Sequence, residues 1–416
     1  MTDGPDALFG RYRRQAVLLH RPWPPHAGPP TNSRFGGLPR LPEDHAWPRT
    51  SSGTPLHFLA QVDCADIRVR TALPDRGVLF FFGRDDVRRT WSAAPPASDH
   101  CRVLFAPDAT AHTPPRQPPA DLPPLTRPWT HPDNVHPAWP VVPLAFDSVP
   151  EEAALPEAAE QEERGWGRLA GGGADGEGVE AATREAYGEQ LGARRAAALV
   201  AATGVQPPGG PMTAWTAADA GRAILEFAAR GPDSFPQHWA YVHHLARAVL
   251  DRPLFYASAG ATPEQRTAEA ERWLARARAV PLDQPVAQDD RQALRTWVAN
   301  LGHPELAYRA AAGTIRSWAG DAALAARVPD PVYAACARGF YGYHAQHPQF
   351  SQMLGHAPAT HLARAVDDPM VCLLSLDADL ALGWHFADGG QCTFWMTPDD
   401  LARRDFGNVV GTVDGG

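Results

Sequence analysis

Short apolar runs of strand length recur in the first hundred residues. They span residues 56–63, 78–82 and 101–105, and Gly, Pro or Asp bounds each of them. Runs of this length with such boundaries are typical of β-strands. The N-terminal part of the chain is therefore predicted to be rich in β-structure.

The pattern changes twice between residues 107 and 178. Prolines make up 13 of the 44 residues from 107 to 150, which excludes a continuous helix and favours extended backbone, with edge strands near Val141 and Val142. Glycine is then frequent from Gly171 to Gly178, where few side chains are available for packing. We predict a chain draped over the sheet, followed by a flexible loop.

Apolar positions follow a helical period between residues 212 and 349. Ala293, Leu294, Trp297 and Leu301, for example, fall on one face of a helix. Similar sets lie at 270–277 and 307–318, with helix starts expected at Thr262-Pro263 and at Pro304. Several helices are therefore expected to pack on one another.

Strand-like runs return near the end of the chain, at 371–376, 381–384 and 392–396. The whole pattern predicts an α+β fold with a mostly antiparallel sheet that an α-helical subdomain interrupts. We place a discontinuous α+β domain at residues 10–150 and 345–416. A mainly helical insertion is placed at residues 151–344, with its Gly-rich loop near 171–178.

The two β-rich ends resemble each other. The first apolar run ends at Asp63 and the next begins after Gly77, and the later pair is bounded in the same way by Asp377 and Gly390, with spacings of 14 and 13 residues. A hairpin-sized unit that occurs twice indicates a pseudo-duplicated sheet. Chance similarity between short apolar runs is the alternative.

Composition narrows the range of partners and compartments. The net charge is −9 and the basic residues form no dense cluster, so nucleic acid is not an expected partner. Five cysteines without C-x-x-C spacing fit reduced thiols better than disulfides or a zinc site. We see no signal peptide and no apolar window long enough for a membrane span, so a cytoplasmic protein is expected.

Several short motifs together resemble one bacterial family. The first group comprises Ser33 to Pro42, Trp47-Pro48, Leu56 to Gln61 and Leu73 to Gly77, and the second comprises Met353 to His356, Leu373 to Asp377, Asp388 to Gly390, Phe394-Trp395 and Asp405-Phe406. This order of motifs resembles the YwqG-like family, also called domain of unknown function 1963. The resemblance covers roughly residues 30–150 and 350–412, so the helical middle is a departure from it. It implies an α+β fold and no established activity, and some members of the family are candidate immunity proteins near toxin loci.

Arg34 precedes a pair of glycines, Gly36 and Gly37, and is a candidate ligand-binding residue. Its planar guanidinium suits a carboxylate or a phosphate, and the glycines could present backbone amides to the same anion. The alternatives are a structural turn at the glycines and a surface arginine stacked on Trp47.

Gln61 and Asp63 end the first predicted strand, and Asp388 follows the comparable strand of the second unit. Carboxylates that face one cleft can share a proton or hold a metal. The alternative is turn formation, because Asp is common where strands end.

Trp47, His356 and Trp384 complete the set of candidate ligand-binding residues. An aromatic ring beside a carboxylate is a common ligand contact, although core packing explains Trp384 equally well. The 17 histidines show no H-E-x-x-H arrangement, and Cys64, Cys372 and Cys392 lie in apolar runs where thiols are usually inert. We therefore predict no metal, no cofactor and no catalytic residue.

These observations favour a non-catalytic module that binds another protein, with an immunity or antitoxin role as one version. The alternative is a hydrolase or small-molecule binding protein that uses a cleft between the two β units, with Arg34, Asp63, His356 and Asp388 as its polar groups. A helical insertion that forms a dimer is a third reading, and the sequence does not give the oligomeric state.

Overall fold

The computed structural model describes residues 5–85, 99–125, 134–150, 177–204, 216–230, 237–251, 262–301, 303–341, 351–356, 370–379 and 381–414. Most of the predicted Gly-rich loop, residues 171–176, lies outside these ranges. Its last two residues open a helix that begins at Glu177.

Two antiparallel sheets form the β part of the protein, which confirms the predicted α+β class. The six-stranded sheet has the order β11-β10-β9-β8-β1-β7, and the five-stranded sheet has the order β5-β4-β3-β2-β6. The strands are β1 (Arg14–His20), β2 (Arg34–Phe35), β3 (His57–Asp63), β4 (Val78–Gly83), β5 (Cys101–Ala106), β6 (Trp139–Pro140), β7 (Val142–Ser148), β8 (Gln352–Met353), β9 (Val371–Asp377), β10 (Gln391–Met396) and β11 (Val410–Asp414).

The predicted duplication is visible in the register of the strands. Asp63 pairs with Val78 in one unit, and Asp377 pairs with Gln391 in the other. The amide after each aspartate donates to the carbonyl of the corresponding glycine, Gly77 or Gly390, at 2.9 and 3.0 Å. Each sheet therefore contains one copy of the same three-stranded unit, β3-β4-β5 or β9-β10-β11.

The repeat extends to the short strands beside these units. The Ser33 hydroxyl accepts from the Asp63 amide at 3.0 Å, and the Ser351 hydroxyl accepts from the Asp377 amide at 3.2 Å. Three residues after these serines the backbone turns at positive φ, +57° at Gly36 and +60° at Leu354. Arg34 and Gln352 consequently occupy equivalent positions.

The helices lie mainly between the two β segments, as predicted. They are α1 (Pro5–Tyr12), α2 (Glu177–Thr203), α3 (Ala217–Ala228), α4 (Trp239–Asp251), α5 (Pro263–Arg278), α6 (Gln288–Leu301), α7 (Pro304–Trp318), α8 (Ala322–Ala325), α9 (Asp330–Tyr341), α10 (Phe386–Gly389) and α11 (Pro398–Arg403). The predicted starts at Thr262-Pro263 and Pro304 are confirmed, and Thr262 forms a capping box with Gln265. The predicted apolar faces also meet, since Trp273 of α5 stacks on Trp297 of α6 at 5.7 Å.

Aromatic side chains join the sheets to each other and to the helices. Phe81 and Phe394, from the two repeated units, meet edge to face at 5.2 Å. Trp23 packs on Phe340 of α9 at 4.6 Å. Because one apolar core continues through the sheets and helices, the helical segment is packed against the β part.

The strand predicted at residues 381–384 is wrong. The segment is a turn, because the Asp379 carboxylate accepts the Ala381 amide at 2.8 Å and the Asp379 and Trp384 backbones bond to each other. An aspartate that satisfies amides two residues later favours a turn over a strand. The prediction of edge strands near Val141 is confirmed by β7, which forms one edge of the six-stranded sheet.

Gly221 marks the closest approach between two helices. A Cβ at this position of α3 would collide with the backbone carbonyl of Pro304 at the start of α7. We expect Gly221→Ala to lower the free energy of unfolding by roughly 1–3 kcal/mol, because overpacking shifts backbone that is already in contact. The matched control is Gly192→Ala in α2, where a Cβ would meet nothing within 4 Å. We expect Gly192→Ala to raise the free energy of unfolding by up to about 1 kcal/mol. Urea unfolding measures both variants. Equal changes in the two variants would show that the contact between Gly221 and Pro304 does not cause the loss.

Candidate functional site

Arg34 projects from the outer face of the five-stranded sheet. It lies in β2 between Gln61 of β3 and Pro140 of β6. Its neighbour Phe35 points the opposite way, into the core, where its ring lies 5.0 Å from that of Trp384. The Arg34 side chain is partly buried, and within the described part of the chain it donates no hydrogen bond and pairs with no carboxylate.

Arg40 lies close to Arg34 on a loop that crosses the same face. Its backbone amide donates to the Gln61 side chain at 2.9 Å, and one guanidinium nitrogen donates to the Thr113 carbonyl at 2.6 Å. Its Nε is buried and has no acceptor among the described residues. Burial, reinforced by the charge of Arg40, lowers the pKa of Arg34 to about 10. The positive charges of Arg34 and Arg40 therefore act on each other at this face of the sheet.

Arg116 adds a third cation and fastens the loop. Its amide donates to the Pro39 carbonyl at 2.8 Å, and its guanidinium donates to the carbonyls of Pro42 and His45. These bonds use neutral acceptors, so the charge of Arg116 is not cancelled by them. We call Arg34, Arg40 and Arg116 the arginine cluster.

Gln61 and Asp63 hold the backbone beneath this cluster. The Gln61 amide donates to the Asn32 carbonyl at 2.7 Å, and the Asn32 side chain donates to Asp63 at 2.9 Å. The other Asp63 oxygen accepts the Ala65 amide at 3.0 Å. Gln61 is fully buried. The side chains of Gln61 and Asp63 therefore stabilise the local turn and strand. Turn formation was the alternative expectation for Asp63.

Trp47 lies on the same face but packs elsewhere. Its indole donates to the Leu56 carbonyl at 2.9 Å, and its ring meets Phe82 edge to face at 5.3 Å. The ring belongs to a small apolar cluster on the outer face of the five-stranded sheet. No described contact stacks Arg34 on Trp47.

His356 follows β8 of the six-stranded sheet, and its hydrogen bonds link it to residues in or next to other strands of that sheet. Its ring donates to the Tyr12 carbonyl at 2.7 Å, and its amide donates to the Ser148 hydroxyl at 2.9 Å. Burial lowers the pKa of His356 to about 4. The imidazole is consequently neutral near pH 7.

Trp384 is fully buried between the sheets, against Phe35 and Phe386. The backbone of Asp388 lies in α10, and its side chain lies outside the described part of the structure. Phe35, Phe81, Phe394 and Trp384 fill the space between the two repeated units where a cleft was expected. The structure does not bring His356 to Arg34 and Asp63.

A group of polar side chains that the sequence did not indicate lies just beyond the end of β4. The Asp85 amide donates to the His57 ring at 3.1 Å, and the Asp85 carboxylate lies 3.4 Å from the His136 ring. Burial lowers the pKa of His136 to about 3, and its other ring nitrogen contacts the Leu382 carbonyl. His57 also donates to the Pro123 carbonyl at 2.9 Å. These residues are far apart in sequence and carry no common spacing that could have identified them.

The cysteines are buried free thiols, as predicted. Burial raises the pKa of Cys64 to about 12 and has the same effect on Cys101, Cys336 and Cys372. A thiol that stays protonated is a poor nucleophile. Within the described ranges, no group of three or more His, Cys, Asp or Glu side chains is arranged to hold a metal ion. No described helix has the length and apolar character needed to cross a bilayer.

Comparison with known proteins identifies one family. The family described as "Domain of unknown function (DUF1963)" matches residues 33–194 and 280–414, which is more than half of the chain. The match resumes at residue 280, so α6 to α9 lie within it and the unmatched interior is residues 195–279. No curated protein matches the chain.

Proposed function

The chain belongs to the DUF1963 family, whose description names no activity, and we propose from the geometry that it is a non-catalytic bacterial module that binds another protein in the cytosol. The arginine cluster on the five-stranded sheet carries this proposal. It would recognise an acidic segment of the partner. An immunity or antitoxin role is one version of such binding.

The chemistry of the cluster suits a carboxylate from outside the chain. Two partly buried guanidinium groups repel each other, and Arg34 has no counter-ion among the described residues. A carboxylate between them would relieve the repulsion and accept from the donors that are left without acceptors, including the buried Nε of Arg40. Arg40 and Arg116 are held by backbone carbonyls, so these two cations are positioned before any partner arrives.

The internal repeat supports a role for Arg34 beyond folding. The equivalent position in the other sheet is Gln352, which is buried and donates to the His356 carbonyl at 2.6 Å. A neutral amide therefore satisfies the structural needs of this position in one copy of the unit. The positive charge of Arg34 is an addition that the fold does not require, and we assign it to binding.

We expect Arg34→Gln to abolish or strongly weaken the capture of a stoichiometric partner by the tagged protein from its native cytosol. A desolvated charge pair at an interface contributes about 2–5 kcal/mol when one partner is truncated, which corresponds to a loss of at least thirtyfold in affinity. Pull-down followed by mass spectrometry identifies the partner, and calorimetry with the purified pair gives the dissociation constants.

Arg70→Gln is the matched control, because Arg70 is exposed and lies on the same domain outside the cluster. It should leave the dissociation constant within about twofold. Binding by the Arg34 variant that equals that of the wild type would refute the cluster as the docking site. The cluster would also be refuted as the docking site if the partner had no acidic segment at the interface.

A further inference from the structure

Helix α2 lies on the outer face of strands β1 and β7. The apolar surface beneath it consists of two residue pairs that face each other across these strands, Leu18 with Leu144 and Ala16 with Phe146. We call these four residues the β1–β7 strip. Val17, which lies between two of them in β1, points the other way, into the central core. The strip therefore belongs to a separate, smaller apolar cluster, and α2 completes it.

The contact between α2 and this strip is small. Ala198, Leu199 and Ala202 are the α2 side chains that pack on it. Among the described side chains of α2 only Tyr187 is buried, and its ring stacks on Phe9 of α1. By contrast, ten of the fifteen residues of α7 are buried. Because buried apolar surface holds a helix in place, α2 is attached more weakly than α7.

A cavity of about 310 Å³ interrupts the α2 interface. It lies between α1, α2 and the end of β7, and Phe9, Val149 and Ala198 are among its lining residues. The small side chain of Ala198 leaves space here that a larger apolar residue would fill. An empty space at a packed interface forfeits dispersion contacts, so it lowers the free energy needed to detach the helix.

Gly192 weakens α2 without a packing reason. A Cβ at this position would meet nothing within 4 Å. The glycines of two other helices differ, because a Cβ at Gly221 would collide with the Pro304 carbonyl and a Cβ at Gly313 with the His244 ring. A glycine inside a helix is less favourable than alanine. Gly192 therefore favours release of α2.

The family match ends at residue 194, inside α2. Leu144 and Phe146 of the strip lie within the matched residues. The part of α2 that packs on them, from Ala198 to Ala202, lies outside the match. This cover is therefore not part of the pattern that the chain shares with its family.

We propose that α2 is a displaceable cover and that the β1–β7 strip binds an amphipathic helix of another protein when α2 detaches. Helix α2 itself shows the shape that fits, a helix with one apolar face along the two strands. The incoming helix carries a large aliphatic residue where α2 has Ala198, because that residue fills the cavity. The added burial lets it compete with a helix that the chain keeps close to the strip.

Hydrogen exchange of the full-length protein measures the release of α2. We expect the amides of residues 189–203 to exchange at least about a hundredfold faster than those of α7, because α2 opens without global unfolding. Gly192→Ala should slow the exchange of α2 about three- to fivefold, since alanine favours the helix. Exchange of α2 that is as slow as that of α7 would overturn the proposal.

A labelled peptide of residues 184–204 that carries Gly192→Ala serves as the incoming helix. Fluorescence anisotropy with the full-length protein gives its dissociation constant, and a second peptide also carries Ala198→Leu. We expect the leucine peptide to bind at least about fivefold more tightly, because its larger side chain buries more apolar surface. Equal binding of the two peptides, or no binding of either, would refute the strip as a docking surface.

The same substitution in the protein should have the opposite effect. Ala198→Leu in the full-length protein fills the cavity from α2, holds the cover in place and should weaken binding of the leucine peptide at least about fivefold. Gly192→Ala in the protein should act in the same direction, and it serves if Ala198→Leu does not fold. Ala197→Leu is the matched control, because Ala197 is exposed on the same helix, and it should change binding less than about twofold. Peptide binding that neither Ala198→Leu nor Gly192→Ala weakens would contradict the role of α2 as a cover.

Leu144→Glu distinguishes a docking surface from a helix that is merely unstable. A charge on the strip should speed the exchange of α2 and also weaken binding of the leucine peptide at least about tenfold, because both helices need the same apolar surface. Faster exchange with unchanged peptide binding would show that the peptide binds elsewhere, and it would overturn the proposal. Such a failure leaves the arginine cluster untouched, because that cluster lies on the other sheet and is tested with Arg34→Gln.

Discussion

Replacing Asp379 with asparagine is expected to lower the free energy of unfolding by about 3–5 kcal/mol, because it leaves a buried arginine without its counter-charge. Arg21 and Asp379 form an ion pair at 2.7 Å, and both side chains are 4% exposed. The guanidinium of Arg21 also lies over the Trp139 ring at 4.5 Å. Asparagine keeps the size of the side chain and an oxygen that can accept the Ala381 amide, but its NH2 group cannot accept from Arg21, so the charge and the hydrogen bond to Arg21 are lost together.

Arg316 increases the expected effect. It is buried near the same carboxylate, with its guanidinium 5.0 Å from the Phe340 ring. Burial lowers the pKa of Arg316, and the charge of Asp379 opposes that shift. Removing the charge at position 379 therefore affects two buried cations.

Unfolding in guanidinium chloride measures the change in the free energy of unfolding. Two comparisons test whether the loss of the charge at position 379 causes it. Asp121→Asn breaks the Arg49–Asp121 pair, whose side chains are 39% and 62% exposed, and should leave the free energy of unfolding almost unchanged because water screens this pair. The double variant Arg21→Met with Asp379→Asn should be more stable than Asp379→Asn alone, because it leaves one buried charge fewer without a partner. A loss at Asp379 as small as that at Asp121 would contradict the explanation.

Acid should destabilise the protein steeply between about pH 6.5 and pH 4. Burial lowers the pKa of His20 to about 4, of His136 to about 3 and of His356 to about 4. In the unfolded chain these groups take up protons near pH 6.5. Below that pH the unfolded state binds more protons than the folded state, so the free energy of unfolding falls as pH falls. The stabilisation is complete above about pH 6.5.

Each neutral buried histidine contributes a slope of about 1.4 kcal/mol per pH unit, and three of them contribute about 4 kcal/mol per pH unit. Urea unfolding at pH 7, 6, 5 and 4 measures the slope. His356→Gln should reduce it by about one third, because one proton-binding difference is removed. An unfolding free energy that stays constant from pH 7 to pH 5 would show that these histidines are protonated in the folded protein.

The local pattern of the sequence was sufficient for most elements. Strands β3, β4, β5, β9 and β10 are runs whose apolar residues follow one another within a few positions, and α5 to α7 repeat an apolar face every three or four residues. Such elements are specified by neighbours in the chain, and glycines such as Gly77 and Gly390 mark where the next strand begins. The repeat between the two ends of the chain was also readable, because Asp63 and Asp377 occupy the same place in each unit.

The candidate site depended on contacts between distant segments. The sequence singled out Arg34, but nothing in it indicated that the charge of Arg40 would act on Arg34 or that Arg116 would hold the loop that carries Arg40, since bonds to Gln61, Pro39 and Pro42 create this arrangement. In the same way His356 became a buried structural residue only when β8 paired with β1. Short-range patterns determine which segments become strands and helices, because propensity and periodicity act between residues close in the chain. Which side chains share a face, lose water or lack a counter-ion is decided by contacts between segments that lie tens to hundreds of residues apart in the chain, and only the tertiary structure supplies these contacts.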